Sequence, residues 1–296
     1  MTLQKQLSRK ANAATRGIVA IDNGGKFSKV KTANGNFTFH SDKCYGFKMK
    51  IGQDFMTDKD FSIVWHDKND EHYYAGHLPI RETNAIPLEG YVNTKTDEYF
   101  VLSVLIACHQ YGYEENYVIT SVPIDDHNDD KEISEIKKLL NGKHNLTING
   151  ERKTFTIVET AVAAEAFNAF WVNEPAGKVR WLDLGSRTVN FATTYYNPET
   201  EEFYSIDSES GTIQLGLQKH EIEDPRQYAH AIKGKLSQRG WKTEDHVNLI
   251  GGGAMDAEIV SAIMTHFPNS TVVENAQEIQ VNGMYTWASE VGFDLG

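Results

Sequence analysis

Cysteine is nearly absent from this chain. Cys44 and Cys108 are the only two in 296 residues, and neither stands at metal-ligand spacing. Such usage offers no cysteine-built metal module and points to a reducing compartment. Long apolar runs are missing too: none approaches the roughly 20 residues that a helix needs to span a bilayer. Positive charge is in deficit, with 29 Lys and Arg against 41 Asp and Glu and a formal net charge of -12. That balance argues against nonspecific binding to DNA or anionic membranes, so a protein serving DNA would need a basic adaptor. No low-complexity segment interrupts the chain.

What is present is an ordinary globular composition, 40% hydrophobic and 24% charged, long enough for one large or two modest domains. The opening "MTLQKQLSRKANAATRG" is basic and free of acids, a faint echo of a transit peptide without a signal-peptide core. It reads as a poorly ordered leader over residues 1–16, and the expected location is the cytoplasm.

The segment "IVAIDNGGKFSKV" ends an apolar run in an aspartate, two glycines and lysines. It fits a tight hairpin, for which Asn-Gly and Gly-Gly are usual turn residues. It also fits a phosphate cradle, in which glycine N–H groups face the anion and the carboxylate holds a hydrated metal. Further on, "TKTDEYFVLSVLIACHQYGY" has a helical apolar face with Thr94 or Thr96 as cap, and "ENYVITSVPI" reads as a buried strand. His109 beside that helical face reads as a packed or surface histidine rather than a ligand. The acids of "DDHNDDKEISEIKKLL" read as a solvated helix N-terminus rather than a calcium loop. "HNLTINGERKTFTIV" reads as a hairpin turning at Asn149-Gly150, its second arm ending at Glu159, and "AVAAEAFNAFWV" as an alanine-rich helix.

A second half repeats the opening device. "AIDNGGKFSK" and "WLDLGSRTVN" each place an aspartate at a strand end, Asp22 and Asp183, and a glycine two residues later. Facing each other, two such hairpins enclose a polyphosphate, their carboxylates holding Mg²⁺ through water. A third element, "LIGGGAMD", sets Gly251, Gly252 and Gly253 between a strand and a helix, where a nucleoside can lie against backbone.

In that order the motifs resemble the actin-like ATPases, shared with Hsp70 chaperones and sugar kinases, over almost the whole chain after residue 17. The resemblance implies an α/β fold of two related ribonuclease-H-like halves around a nucleotide cleft. It implies nucleotide contacts from Asp22, Gly24, Gly25 and Lys29, from Gly185, Ser186, Arg187 and Thr188, and from Gly251 to Ala254. Lys26, Lys233 and Lys235 are weaker candidates. Asp22 and Asp183 stand near the metal, and Glu159, at the expected strand end, orients the attacking water. Residues 17–170 would form domain I, 171–274 domain II, and 275–296 a connecting helix in which Gly283 permits close helix contact. Only 68 positions separate Asp183 from Gly251, so the subdomain called IIB, which covers one side of the nucleotide, is expected to be absent or vestigial. The texture resembles bacterial plasmid-segregation actins of the ParM group, and the truncation resembles the AlfA type. Such a protein is expected to bind ATP or GTP with Mg²⁺, to form filaments with itself, and to move plasmids through a DNA-binding adaptor. A small-molecule kinase and a nonpolymerising nucleotide-binding scaffold are the rival readings.

Overall fold

The computed structural model describes residues 15–48, 56–82, 95–217 and 224–293. Residues 1–14 of the expected leader and Thr94 lie outside them, while Arg16 already belongs to the first strand. The chain builds two sheets, and the same five-strand plan underlies both.

In the first half β1 (Arg16–Asn23), β2 (Phe27–Thr32) and β3 (Gly35–His40) form an antiparallel meander. Next come β4 (Lys43–Tyr45), β5 (Asp60–Trp65), β6 (Glu71–Gly76), α1 (His77–Arg81) and α2 (Glu98–Tyr111). After these follow β7 (Glu115–Val122), α3 (Asp130–Leu140), β8 (Gly142–Ile148) and β9 (Glu151–Ala164). The nine strands are ordered β3-β2-β1-β7-β9-β8-β5-β6-β4, with β1, β7 and β9 mutually parallel. In the second half, after the short α4 (Phe170–Asn173), come β10 (Gly177–Leu184), β11 (Val189–Asn197), β12 (Glu202–Ser205) and β13 (Gly211–Ile213). They lead to α5 (Pro225–Gln238), β14 (Val247–Ile250), α6 (Ala257–Met264), β15 (Thr271–Val272) and α7 (Ile279–Trp287). Their order is β12-β11-β10-β14-β15, again a meander followed by two parallel strands, with β13 added to β11. Among the described residues between β13 and β14 there is one helix, α5, and no inserted subdomain.

Strand alternation divides the core. Val19 and Ile21 of β1 face a cluster filled by α2, whose residues from Tyr99 to His109 are all buried. Ile18 and Ala20 face the opposite way, onto Val281, Met284 and Ala288 of the C-terminal helical segment. The second sheet packs Leu182, Leu184 and Phe191 against α5 and α6, and turns Trp181, Ala192 and Ile250 toward Ala166, Phe170 and Ile279. Thus α7 touches both sheets. Gly283 allows this: a Cβ there would lie 1.8 Å from the Asn168 carbonyl oxygen, so the expected close approach is present.

Several local expectations are corrected. The cap of α2 is Asp97, whose side chain accepts from Phe100 N at 2.7 Å, rather than Thr96. Two readings hold: the acid run caps α3 through Asp129, and His109 is a packed core residue donating from Nε2 to the Glu151 carbonyl. Burial drives the His109 imidazole down to about 4. The largest correction concerns β9. It does not stop at Glu159 but continues to Ala164, so "AVAAEAF" is mostly strand where a helix was expected. Its backbone is claimed by the parallel ladder to β7, and that pairing outweighs the helix propensity of alanine. A register shift opposite Asn116 and Tyr117 skips Val158, which marks a bulge.

Candidate functional site

The first glycine-rich turn is the tight hairpin that its Asn-Gly and Gly-Gly pairs allow. β1 and β2 are a hairpin, with Gly24, Gly25 and Lys26 in its turn, and Asp22 stands directly opposite Lys29 in register. Residues opposite one another in a hairpin project from the same face, which is why a spacing of seven residues brings the two side chains together. Lys29 Nζ donates to Asp22 Oδ2 at 2.8 Å, and each side chain is about nine-tenths buried. Burial opposes the lysine's charge, but the carboxylates of Asp22, Asp183 and Glu165, Asp22 foremost, together more than offset it and hold Lys29 above the usual lysine value.

The second hairpin repeats the geometry. Asp183 of β10 stands opposite Asn190 of β11, again seven positions on, and Gly185, Ser186, Arg187 and Thr188 make the turn. The two turns meet: a Cβ on Gly25 would lie 2.6 Å from Ser186 Oγ and 2.8 Å from Arg187 Nε. Asp183 is pushed up to about 7, first by burial and then by the negative charges of Glu165 and Asp22, with Lys29 and a hydrogen bond from Gln280 acting against the shift. The Gln280 amide of α7 donates to Asp183 Oδ2 at 3.2 Å.

Glu165, absent from the expected site, completes the cluster. It follows the end of β9, its backbone N–H bonded to the Val122 carbonyl at the end of β7. Lys95 Nζ donates to one carboxylate oxygen at 2.7 Å and also to the Ser121 carbonyl; Asn190 Nδ2 donates to the other oxygen at 2.6 Å. Asn190 is itself buried and bridges the halves, its Oδ1 accepting from Ile124 N at 3.3 Å and from Thr212 Oγ1 at 2.7 Å. Glu159, by contrast, is exposed in mid-strand opposite Tyr117 and takes no part in the cluster. Its expected position at the strand end is held by Glu165. The signal was present in the chain: β7 ends at "VPI", and a parallel neighbour ending level with it must reach residue 164.

The third element follows β14. Gly251 adopts φ +83° and ψ -178°, a conformation essentially confined to glycine. A Cβ on it would lie 2.1 Å from Asp183 Oδ1, so the glycine strand sits directly against that carboxylate. Gly252 faces open space and is exposed, while Gly253 and Ala254 are buried. Lys26 lies exposed over the Phe27 ring and Lys235 is exposed on α5, both outside the cluster; the His266 imidazole is held below its usual value by burial, then by His230 and by Lys233 on the same helix.

The pattern that decides the family is the doubled hairpin, with its aspartates converging beside a glycine-rich third strand. The family model described as "Actin like proteins N terminal domain" matches residues 20–167. The chain belongs to the actin-like proteins. Its fold is similar to that of the chain in a 15-stranded ParM filament from Clostridium botulinum, with TM-score 0.76 at 12% identity over 94% of this chain and 100% of that one. Apo ParM of pSK41 gives 0.70 at 17% over 93% and 98%, and an AlfA filament bound to AMPPNP gives 0.69 at 17% over 93% and 96%. No curated protein matches the chain. In this actin-like chain, the carboxylates of Asp22 and Asp183 are hard oxygen donors that fit Mg²⁺. Among the described residues no three metal-binding side chains converge on one point, so an ion there would keep much of its water.

Proposed function

We propose that this chain binds a nucleoside triphosphate between its two hairpins, hydrolyses it, and assembles into filaments in the nucleotide-bound state. The observation that carries this reading is the contact of the two hairpin turns at Gly25 and Ser186–Arg187, with Lys29 held within the charges of Asp22, Asp183 and Glu165. The turn backbones at Gly24–Gly25 and Gly185–Thr188 would face the phosphates, with Lys29 as the buried cation among them. Gly251 to Ala254 would receive the nucleoside. Asp22 and Asp183 would hold Mg²⁺, through water, where it supplies positive charge against the phosphate oxygens. Glu165 takes the role expected of Glu159: one carboxylate oxygen is fixed from each half, leaving it oriented to position and deprotonate an attacking water. Residues 17–170 and 171–274 would be the two arms, with 275–296 connecting them.

Filament formation is supported by the fold shared with the filaments of ParM and AlfA, and a triphosphate ligand by the AMPPNP in the latter. A net charge of -12 fits an assembly that reaches plasmid DNA through a basic adaptor rather than directly. The test pairs Glu165→Gln with Glu159→Gln, following phosphate release and sedimentation with and without nucleotide and Mg²⁺. Glu165→Gln is expected to slow release by about 10²- to 10⁴-fold while still pelleting with nucleotide, and Glu159→Gln to match wild type. Equal rates in the two variants would remove Glu165 from the mechanism. ATP consumption only on addition of a sugar or acid acceptor would replace the filament reading by the kinase one.

A further inference from the structure

Beside the cluster lies a small cavity lined by Asn23, Ser41, Lys43, Lys95, Asp97 and Arg187, with the rings of Tyr99 and Phe100. Three cations and one carboxylate line it. That carboxylate, Asp97, already caps α2 through Phe100 N. Lys95 has its counter-charge in Glu165. Lys43, at the start of β4, is only 3% exposed, and its Nζ donates to the Ser41 carbonyl at 2.6 Å, a neutral partner. The carboxylates of Asp97 and Asp42 attract this ammonium without offsetting its burial, and a protein relieves such a cost by neutralising the lysine or by recruiting an anion.

Size selects the anion. The cavity volume is about 20 Å³, room for roughly one water or an ion of similar radius and too little for a tetrahedral oxyanion. We propose that this cavity binds one halide-sized anion, chloride in solution, between the side chains of Lys43, Lys95 and Arg187. The site also touches the nucleotide machinery. Lys95 holds Glu165, and the Arg187 side chain lies against Gly25. An anion drawing on both would make hydrolysis sensitive to the kind of salt present. That consequence rests on the function proposed above; the binding site itself does not.

Burial, followed by repulsion from Arg187, drives Lys43 down to about 7, against the attraction of Asp97 and Asp42. At about pH 8 the empty site therefore holds a largely neutral lysine, and anion entry should be accompanied by proton uptake. The experiment uses the full chain without nucleotide. Crystals soaked in bromide are examined by anomalous scattering, and melting is compared in chloride, gluconate and sulfate at equal ionic strength. Proton uptake at about pH 8 is read by calorimetry in buffers of differing ionisation enthalpy. The expected result is a bromide peak in the cavity, a higher melting temperature in chloride than in gluconate or sulfate, and proton uptake with chloride. Lys43→Met, similar in shape and uncharged, should lower chloride affinity by about tenfold or more and abolish the uptake. A bromide map empty at this cavity, equal melting in chloride and gluconate, or sulfate acting as well as chloride would overturn the proposal. So would unchanged affinity in a folded Lys43→Met. Should that variant not fold, the wild-type map and melting decide. Nucleotide binding, measured separately, distinguishes failure of this site from failure of the nucleotide reading.

Discussion

Asn190 is the residue on which the junction of the two halves turns, and its removal has a calculable cost. Asn190→Ala strips the partner from Glu165 Oε2, Ile124 N, Thr212 Oγ1 and Thr188 Oγ1. The threonine hydroxyls can rotate toward other acceptors. A backbone N–H and a carboxylate oxygen cannot, and each such stranded group costs about 1–3 kcal/mol. The expected loss is therefore about 3 kcal/mol, a large part of the roughly 5–15 kcal/mol that holds a domain folded. Urea unfolding of the nucleotide-free protein measures it.

Asn190→Asp keeps the shape and reverses the chemistry. A second carboxylate then stands where an amide donated to Glu165 at 2.6 Å. Two like charges about 4 Å apart at an effective dielectric of about 20 repel by roughly 4 kcal/mol. The new acid's folded pKa is raised above its unfolded value, so the penalty is absent below the ordinary carboxylate range and grows as pH rises through it. Asn190→Asp should thus approach wild-type stability at about pH 4 and fall well below it at about pH 8. An alanine variant within about 0.5 kcal/mol of wild type, or an aspartate variant with no added pH slope, would refute the idea that this amide ties the halves together.

Asp183, raised from 3.8 to about 7, should make the nucleotide-free protein lose stability as pH climbs from about 4 to about 8, because the folded state holds a proton that the unfolded state has released. Three pH units of displacement correspond to about 4 kcal/mol, and Asp183→Asn should flatten that slope in denaturant titrations; parallel slopes would contradict the assignment. Gly283→Ala drives a methyl into the Asn168 carbonyl, 1.8 Å away, and should cost about 1–3 kcal/mol or more by melting; an unchanged melting temperature would mean that α7 packs differently. Gly251→Ala combines a glycine-only backbone with a Cβ 2.1 Å from Asp183, and should weaken nucleotide binding in a fluorescence titration beyond its stability loss of about 1–3 kcal/mol.

Much of this arrangement was legible because hairpins write their geometry into spacing. An apolar strand, a turn glycine two residues past the aspartate and a partner at the seventh position mark a site whether or not the halves are seen together. Glu165 was not legible in the same way, for two physical reasons. Alanine favours a helix when nothing competes, yet "AVAA" is paired with Ile119–Val122 of β7, where ladder hydrogen bonds decide. The strand end is then placed at Glu159, short of the observed end at Ala164, and Glu165, whose partners Lys95 and Asn190 lie far from it in sequence, is passed over. Lys95 and Gln280 bring no local pattern of their own; each matters only through a partner 70 or 97 positions away.

The repeat also explains why its two copies differ at the seventh position. In the first half that place belongs to Lys29, a cation buried against Asp22 and surrounded by the charges of Asp183 and Glu165. In the second it belongs to a neutral amide. A lysine at 190 would set a second ammonium against a Glu165 already paired with Lys95, and would offer no acceptor to Ile124 N or Thr212 Oγ1. An acid would repel Glu165. Asparagine alone among these donates to the glutamate and accepts from the opposite half, so one hairpin supplies charge while its copy supplies the joint. The duplicated fold thus provides two equivalent positions, and the joining of the halves depends on their having been filled differently.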